Sequence, residues 1–277
     1  MIDSAGLKRR RWLVFVWLIL AAVPLRAQAP TTNGTDAETL RKQAQNPVAS
    51  LISVPIQENW NFNIDPNNRT QNVLNIQPVI PASIGKDWNL IVRWITPVIF
   101  QPDPATAEVG YYGFGDMNPS FFISPKQSKM IWGVGPTFIL PTATNTGNLG
   151  SGKWSAGPTA VVLVQPGKWT LGGLWNNVWS FAGHEDRQDV NQMSFQYFIN
   201  YNLNKGYFLT WQPTITANWN AADGSKFVVP LGGGIGRIMK IGTQPVNIGA
   251  QVYGNAVHPP GGSPWSLRLQ FTMLFPK

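Results

Sequence analysis

Twelve runs of strand-forming residues follow one another from Glu58 to the end of the chain, most of them ten to sixteen residues long. They fall at about 58–64, 70–81, 87–100, 110–124, 130–142, 153–165, 168–182, 191–203, 206–219, 225–240, 244–256 and 264–276. Strands in soluble sandwiches are about five or six residues long. A strand tilted across a bilayer needs about nine to eleven. In the last run, PWSLRLQFTMLFPK, Trp265, Leu267, Leu269, Phe271, Met273 and Phe275 share one side, and Ser266, Arg268, Gln270 and Thr272 share the other. One such strand also suits a half-buried sheet in water. A series of this length suits a barrel with lipid outside and a polar lumen inside.

The connections alternate in length. ASIGKD, PKQSK, PGK, NKG and IGT are tight, whereas PDPATAEV, PTATNTGNLGSG and AGHEDRQDVN are longer. Short turns on one rim and longer loops on the other are the outer-membrane pattern, and an even strand number puts both termini on the periplasmic side. The tryptophans gather near strand ends. Trp88, Trp132 and Trp169 adjoin tight turns, and Trp154, Trp179, Trp219 and Trp265 adjoin longer loops, which predicts two aromatic girdles.

The N-terminal part reads differently. Lys8 to Arg11 are basic, Trp12 to Val23 are uncharged and apolar, and Ala27-Gln28-Ala29 fits a small-x-small cleavage site, as in a secretory signal peptide. The apolar run is short of the roughly twenty residues of a membrane-spanning helix. Without residues 1–29 the chain loses five of its 21 bases and one of its 13 acids, leaving a net charge of +4. That is too mild to indicate nucleic acid. Asp36 can cap a short helix through about Gln45, with Pro47 as its stop. PVASLISVPIQ is apolar and irregular, and a segment so apolar predicts a plug tucked across the periplasmic mouth by residues 46–57.

Composition agrees. Charged residues make up 12% of the chain, about half the usual share, and there is no cysteine for a disulfide or thiolate metal site. The expected fold is all-β: a closed antiparallel transmembrane β-barrel of about twelve strands with a short helical and irregular lead-in. The expected organisation is a signal peptide at 1–29, a periplasmic lead-in or plug at 30–57 and the barrel at 58–277.

With the runs placed, GFGDMNPSFFISP, IWGVGPTFILPTAT, LGSGKWSAGPTAVVLVQPGKW and NVWSFAG resemble a bacterial family of outer-membrane transporters. It is the group labelled "MetA-pathway of phenol degradation", also known by the misapplied name neuromedin U. NPVASLISVPIQENWNF and the closing FPK fit as well. The resemblance covers most of the chain after residue 29. It implies an outer-membrane barrel that passes small compounds, hydrophobic or aromatic ones among them, and it carries over no catalytic residues.

Strand parity points Arg93, Asp116, Arg237 and Arg268 into the lumen as selectivity candidates. Counting outward from the loop between Gln101 and Glu108 brings Arg93 and Asp116 level, which predicts an ion pair at the constriction, with Arg237 or Arg268 nearby. GGGIGR at 232–237 lacks the spacing of a dinucleotide loop and reads as a strand where small residues make room. His184, Glu185, Asp186 and Asp189 fit a solvated polar loop better than a cation site. His184 and His258, with Ser180 and Ser263 near them, are the groups a lipid-acting enzyme would use, but no ordered His–acid–Ser arrangement is visible. A structural or adhesin barrel with a closed lumen is the other alternative. The reading adopted is a passive channel with no cofactor and no metal. Its partners are outer-membrane lipid and lipopolysaccharide, the barrel-assembly machinery and a small-molecule substrate, with no nucleic acid.

Overall fold

The structure, a computed structural model, describes residues 34–106, 109–128 and 130–276, with side chains from Glu38 onward. The expected signal peptide lies outside the described residues. A helix, α1 (Gly34–Ala44), precedes fifteen strand segments: β1 (Ile52–Ile64), β2 (Arg69–Ile76), β3 (Val79–Ile84), β4 (Trp88–Pro102), β5 (Gly110–Phe114), β6 (Asn118–Pro125), β7 (Ile131–Ile139), β8 (Lys153–Val164), β9 (Trp169–Gly183), β10 (Asn191–Asn202), β11 (Tyr207–Trp211), β12 (Thr214–Asn218), β13 (Phe227–Ile241), β14 (Gln244–Val257) and β15 (Trp265–Phe275). Three pairs of segments, β2 with β3, β5 with β6 and β11 with β12, each make one spanning strand, so the wall has the twelve expected strands.

Each strand pairs antiparallel with its sequence neighbours. The last closes on the first in unbroken register, from Ile52 opposite Phe275 to Phe62 opposite Trp265. Closure leaves no sheet edge, so every ladder group finds a partner without water, as a bilayer demands. Two of the three interruptions have a plain cause. Pro78 and Pro213 have no N–H to give to the ladder, and the strand breaks at Gln77-Pro78 and at Gln212-Pro213. The tightest turn is Gly242-Thr243, where Ile241 pairs with Gln244 and Gly242 takes a φ of +60° that a side chain would resist.

The first strand begins at Ile52, six residues before the expected start. Ile52, Val54 and Ile56 continue the outward row against Phe275, Met273 and Phe271, while Ser53, Pro55 and Gln57 point inward. Small Ser53 and ring-constrained Pro55 hide the period in the sequence. The helix also starts earlier than expected. It runs from Gly34, so Asp36 lies within it and is not its cap.

The lead-in runs inside the barrel. Val48 packs with Val79, Ile91, Phe122, Val161, Leu163, Leu174 and Phe198, which come from six strand segments on one side of the bore. Ala49 and Leu51 pack with Phe208, Ile238 and Leu274 on the other, where Leu40 and Ala44 of α1 join them. The Gln45 amide donates to Asn202 Oδ1 (2.9 Å), and its oxygen accepts from Thr170 Oγ1 (2.8 Å). Gln165 reaches the Lys42 carbonyl at 2.9 Å. Gln165 and Asn202 adjoin two of the tight turns, so the lead-in occupies the short-turn end of the bore. Residues 46–51 therefore fill the part of the expected plug that lies inside, while 52–57 belong to the wall.

Candidate functional site: the barrel lumen

Above the lead-in the inward face is polar. β1 presents Gln57, Asn59 and Asn61, and β2 presents Asn75 ahead of Gln77 at the strand break. A hydrogen-bonded chain crosses the wall at this level. Arg93 Nη2 donates to Gln77 Oε1 (2.8 Å), Gln77 Nε2 to Gln57 Oε1 (2.8 Å), Gln57 Nε2 to Gln270 Oε1 (3.2 Å), and Gln270 Nε2 to Thr272 Oγ1 (3.1 Å). Amides serve because each can donate and accept, so beyond Arg93 the chain continues through neutral groups.

Arg268 lies one inward position from Gln270. Its Nε donates to Asn59 Oδ1 at 2.8 Å, and its Nη1 reaches the Gln212 carbonyl at 3.0 Å. That carbonyl is available because the strand breaks at Pro213, and Gln196 Nε2 also donates to it (3.3 Å). The guanidinium lies 5.2 Å from the centre of the Tyr253 ring, a favourable cation–π contact. The Tyr253 hydroxyl donates to Gln251 Oε1.

These groups border two cavities. One of about 980 Å³ fills the middle and the long-loop end of the lumen, and one of about 130 Å³ lies against Ala44 to Pro47 of the lead-in. Gln57, Gln77, Arg93, Leu174 and Gln196 line both, so they mark the narrowing between them. The lumen thus has a wide chamber toward the long loops, a waist of amides with one arginine, and a small chamber closed by the lead-in.

At the long-loop end two loops lock together. Asp116 accepts from Ser151 N (2.6 Å), Ser151 Oγ (2.8 Å) and Ala143 N (3.2 Å). Arg187 donates to the carbonyls of Ser151 (3.3 Å), Gly150 (3.2 Å) and Gly147 (3.5 Å). The loop between β7 and β8 is thereby held inward, with Leu149, Gly150 and Ser151 lining the chamber. Lys153, nearly buried, forms an ion pair with Asp189 at 3.3 Å, and Ser180 Oγ also donates to Asp189 (3.1 Å). These two partners hold the Asp189 carboxyl below its usual range. Asp189 is 79% exposed, as a residue of a solvated loop should be, and its pair with Lys153 ties that loop to the rim.

The four charged candidates separate. Arg93 and Arg268 line the lumen. Asp116 also lines it, but it binds the loop and not Arg93. Arg93 stands opposite Ser120 on β6, and the Gly115 amide bonds the Pro97 carbonyl beyond it. Asp116 is thus four residues farther along the wall, because the break between β5 and β6 shifts the register that a symmetric hairpin count assumes. Arg237 does not line the lumen. Opposite Tyr207 and Ile248, it lies on the outer face with its guanidinium 4.7 Å from the Tyr207 ring centre. The even-numbered positions of β13 face inward there, as Ile238 shows by packing on the lead-in. Gly236 belongs to that inward row, and a side chain on it would collide with the Phe208 ring; this is the local reason for part of the GGGIGR stretch.

The outer face is apolar and aromatic. Trp88, Trp154, Trp169, Trp179, Trp219 and Trp265 are 39–47% exposed. Trp132 stacks edge-on with Trp88 at 5.9 Å near the short turns, and Trp265 stacks on Phe62 at 4.1 Å near the long loops. Besides Arg237, a pair of polar residues, Glu58 and Asn72, interrupts this face. Glu58 stands between Leu269 and Leu74, with Asn72 Nδ2 donating to its Oε1 at 3.2 Å. Sequence reading missed the narrowing glutamines and the lead-in contacts. The strand-breaking Gln-Pro pairs at 77–78 and 212–213 were the available signal.

No protein-family model and no curated protein sequence matches the chain. Among solved structures, the COG4313 outer membrane channel from Pseudomonas putida F1 is similar with a TM-score of 0.62 at 14% identity, covering 82% of this chain and 96% of that one. The NanC porin gives a TM-score of 0.50 at 11% identity, over 81% of this chain and 100% of that one. The outer membrane phospholipase A from Escherichia coli gives 0.44 at 10% identity, over 87% and 98%. At these identities the likeness is one of fold: the chain has the closed antiparallel barrel of outer-membrane channels.

Proposed function

We propose that this chain is a passive outer-membrane channel for small solutes, with both termini periplasmic and its short-turn end narrowed by its own lead-in. The observation that carries the reading is the chamber of about 980 Å³, walled by amides and two arginines, inside a barrel with an apolar outer face. A barrel that served only as a scaffold would have no need of such a space. Selectivity would follow from lumen polarity and the waist at Arg93, Gln77, Gln57 and Gln196. The quoted motifs, with the fold of the COG4313 channel, support membership of the phenol-degradation transporter family. Small aromatic or hydrophobic compounds are then the class to try first.

The chain is read as non-enzymatic. Ser263 Oγ donates to the Phe62 carbonyl (2.6 Å), Ser180 Oγ to Asp189, and His258 Nδ1 lies on the Pro259 carbonyl (2.9 Å). Three of the four groups named for acyl transfer, Ser263, Ser180 and His258, thus have other partners. Swelling of proteoliposomes in iso-osmotic solutes tests the channel. Solute entry above that of protein-free vesicles is expected for small solutes. Vesicles that hold correctly folded protein, both with and without its lead-in, and remain impermeable would refute it.

A further inference from the structure

We propose that the lumen contains a binding site for a small monocarboxylate with an apolar body, gripped by Arg93 and Arg268. This deepens the channel reading, which supplies the route in and out.

Four ionisable residues with a fixed charge at neutral pH line the larger cavity: Arg93, Asp116, Lys226 and Arg268. Lys226 is paired with Asp223 at 2.7 Å. Asp116 is occupied by the N–H groups of Ser151 and Ala143 and by the Ser151 hydroxyl. Arg93 and Arg268 remain, and among the described residues neither has a carboxylate within ion-pair distance. What holds them is neutral: the side-chain oxygens of Gln77 and Asn59 and the Gln212 carbonyl. Neutral acceptors fix the direction of a guanidinium and leave its charge uncancelled. Each fork has further N–H groups to offer, and a carboxylate is the planar acceptor that matches them. A cation walled by protein attracts an anion more strongly than one in open water.

The body of the ligand follows from the opposite wall. Counted as spanning strands, β9 stands six from β1 in either direction, directly across the bore. Leu174 and Val178 of β9, with Asn176 between them, line the cavity there, joined by Val190 before β10, Ile139 at the end of β7 and Leu149 in the loop held by Asp116. A fully hydrated ion gains nothing from that wall. An apolar group attached to the carboxylate does, and no cationic side chain of that wall stands ready for a second carboxylate.

Three probes separate these contributions: benzoate, acetate with the charge but little body, and benzyl alcohol with the body but no charge. Calorimetry on the full detergent-purified barrel should show benzoate binding at least about tenfold more tightly than either, the ratio that 1.4 kcal/mol represents. Arg93→Gln and Arg268→Gln, checked for folding by heat-modifiable migration, should each weaken benzoate by about tenfold or more. If either variant fails to fold, raising the salt about tenfold on the wild type reads the same charge, and benzoate should weaken. Benzoate binding no tighter than acetate or benzyl alcohol would overturn the proposal, as would binding indifferent to salt and to both substitutions. Because calorimetry needs no conduction, binding without permeation would remove the channel and keep the site, and permeation without binding would do the reverse.

Discussion

Arg237 and Arg268 carry the same side chain, and strand parity alone decides what each does. Arg268 points inward, and its charge meets the lumen. Arg237 points outward near a short turn, with its guanidinium over the Tyr207 ring. Parity was legible in β15, where every outward residue is large and apolar. In β13 the glycines at 232, 233, 234 and 236 erase the contrast between faces, so Arg237 was assigned to the wrong side. Glu58 is the opposite case, a carboxylate on the lipid face between leucines. An acid at mid-wall costs less than a base there, whose penalty is about 2–4 kcal/mol. Because Glu58→Leu alone would strand the Asn72 amide that donates to it, Glu58→Leu with Asn72→Leu should stabilise the barrel by about 1–2 kcal/mol in denaturant titrations from vesicles, and a loss of stability would mean that this outer face does not meet lipid. Asp116 makes a testable contact of another kind. Asp116→Ala removes hydrogen bonds to a charged acceptor, each contributing about 1.5–3 kcal/mol. Thermolysin should then cut the loop at Leu149 at least about tenfold faster, while the wall stays folded.

At the scale of elements, strand number, strand length and the alternation of tight and long connections were readable because each depends on local spacing. That residues 46–51 enter the bore was readable from their apolarity, but the residues they and Gln45 meet were not. Their contacts with Thr170, Asn202, Phe208 and Leu274 join segments more than a hundred residues apart, and no periodicity in a short apolar segment encodes them. The same limit hid the register of Arg93, since the break at Gly115 to Met117 shifts the pairing without leaving a proline behind. The loops form an element of their own, tied by Arg187 and by the Lys153–Asp189 latch. The Asp189 carboxyl titrates below its usual value of about 3.9 because Lys153 and Ser180 favour its charged form. A depressed carboxyl contributes stability that is present in full above its ordinary pKa and is lost as the pH falls through the lower folded value. Open-channel noise should therefore be unchanged from neutral pH down to about 4 and rise below it. Asp189→Asn should show the raised noise already at neutral pH. Noise that rises above pH 5 in the wild type would point to another titrating group.

On the proposed function, the whole molecule is a membrane barrel that carries its own stopper. Closure of β15 on β1 satisfies the backbone, the aromatic outer face is the one a bilayer would meet, and the polar chamber is the space proposed for solute. The lead-in enters before the first strand and packs on both halves of the bore at its short-turn end. Since β1 starts at Ile52, removing the residues before it leaves the wall intact, and removing six more would not. This makes one comparison decisive: single-channel conductance, in the same planar bilayers, of the chain with its lead-in and of a chain beginning just before Ile52, both shown to be folded by heat-modifiable migration. The account predicts discrete openings for the shortened chain with clearly larger conductance than for the longer one. Equal conductance from two folded proteins would contradict the stopper, and no openings from either would contradict the channel.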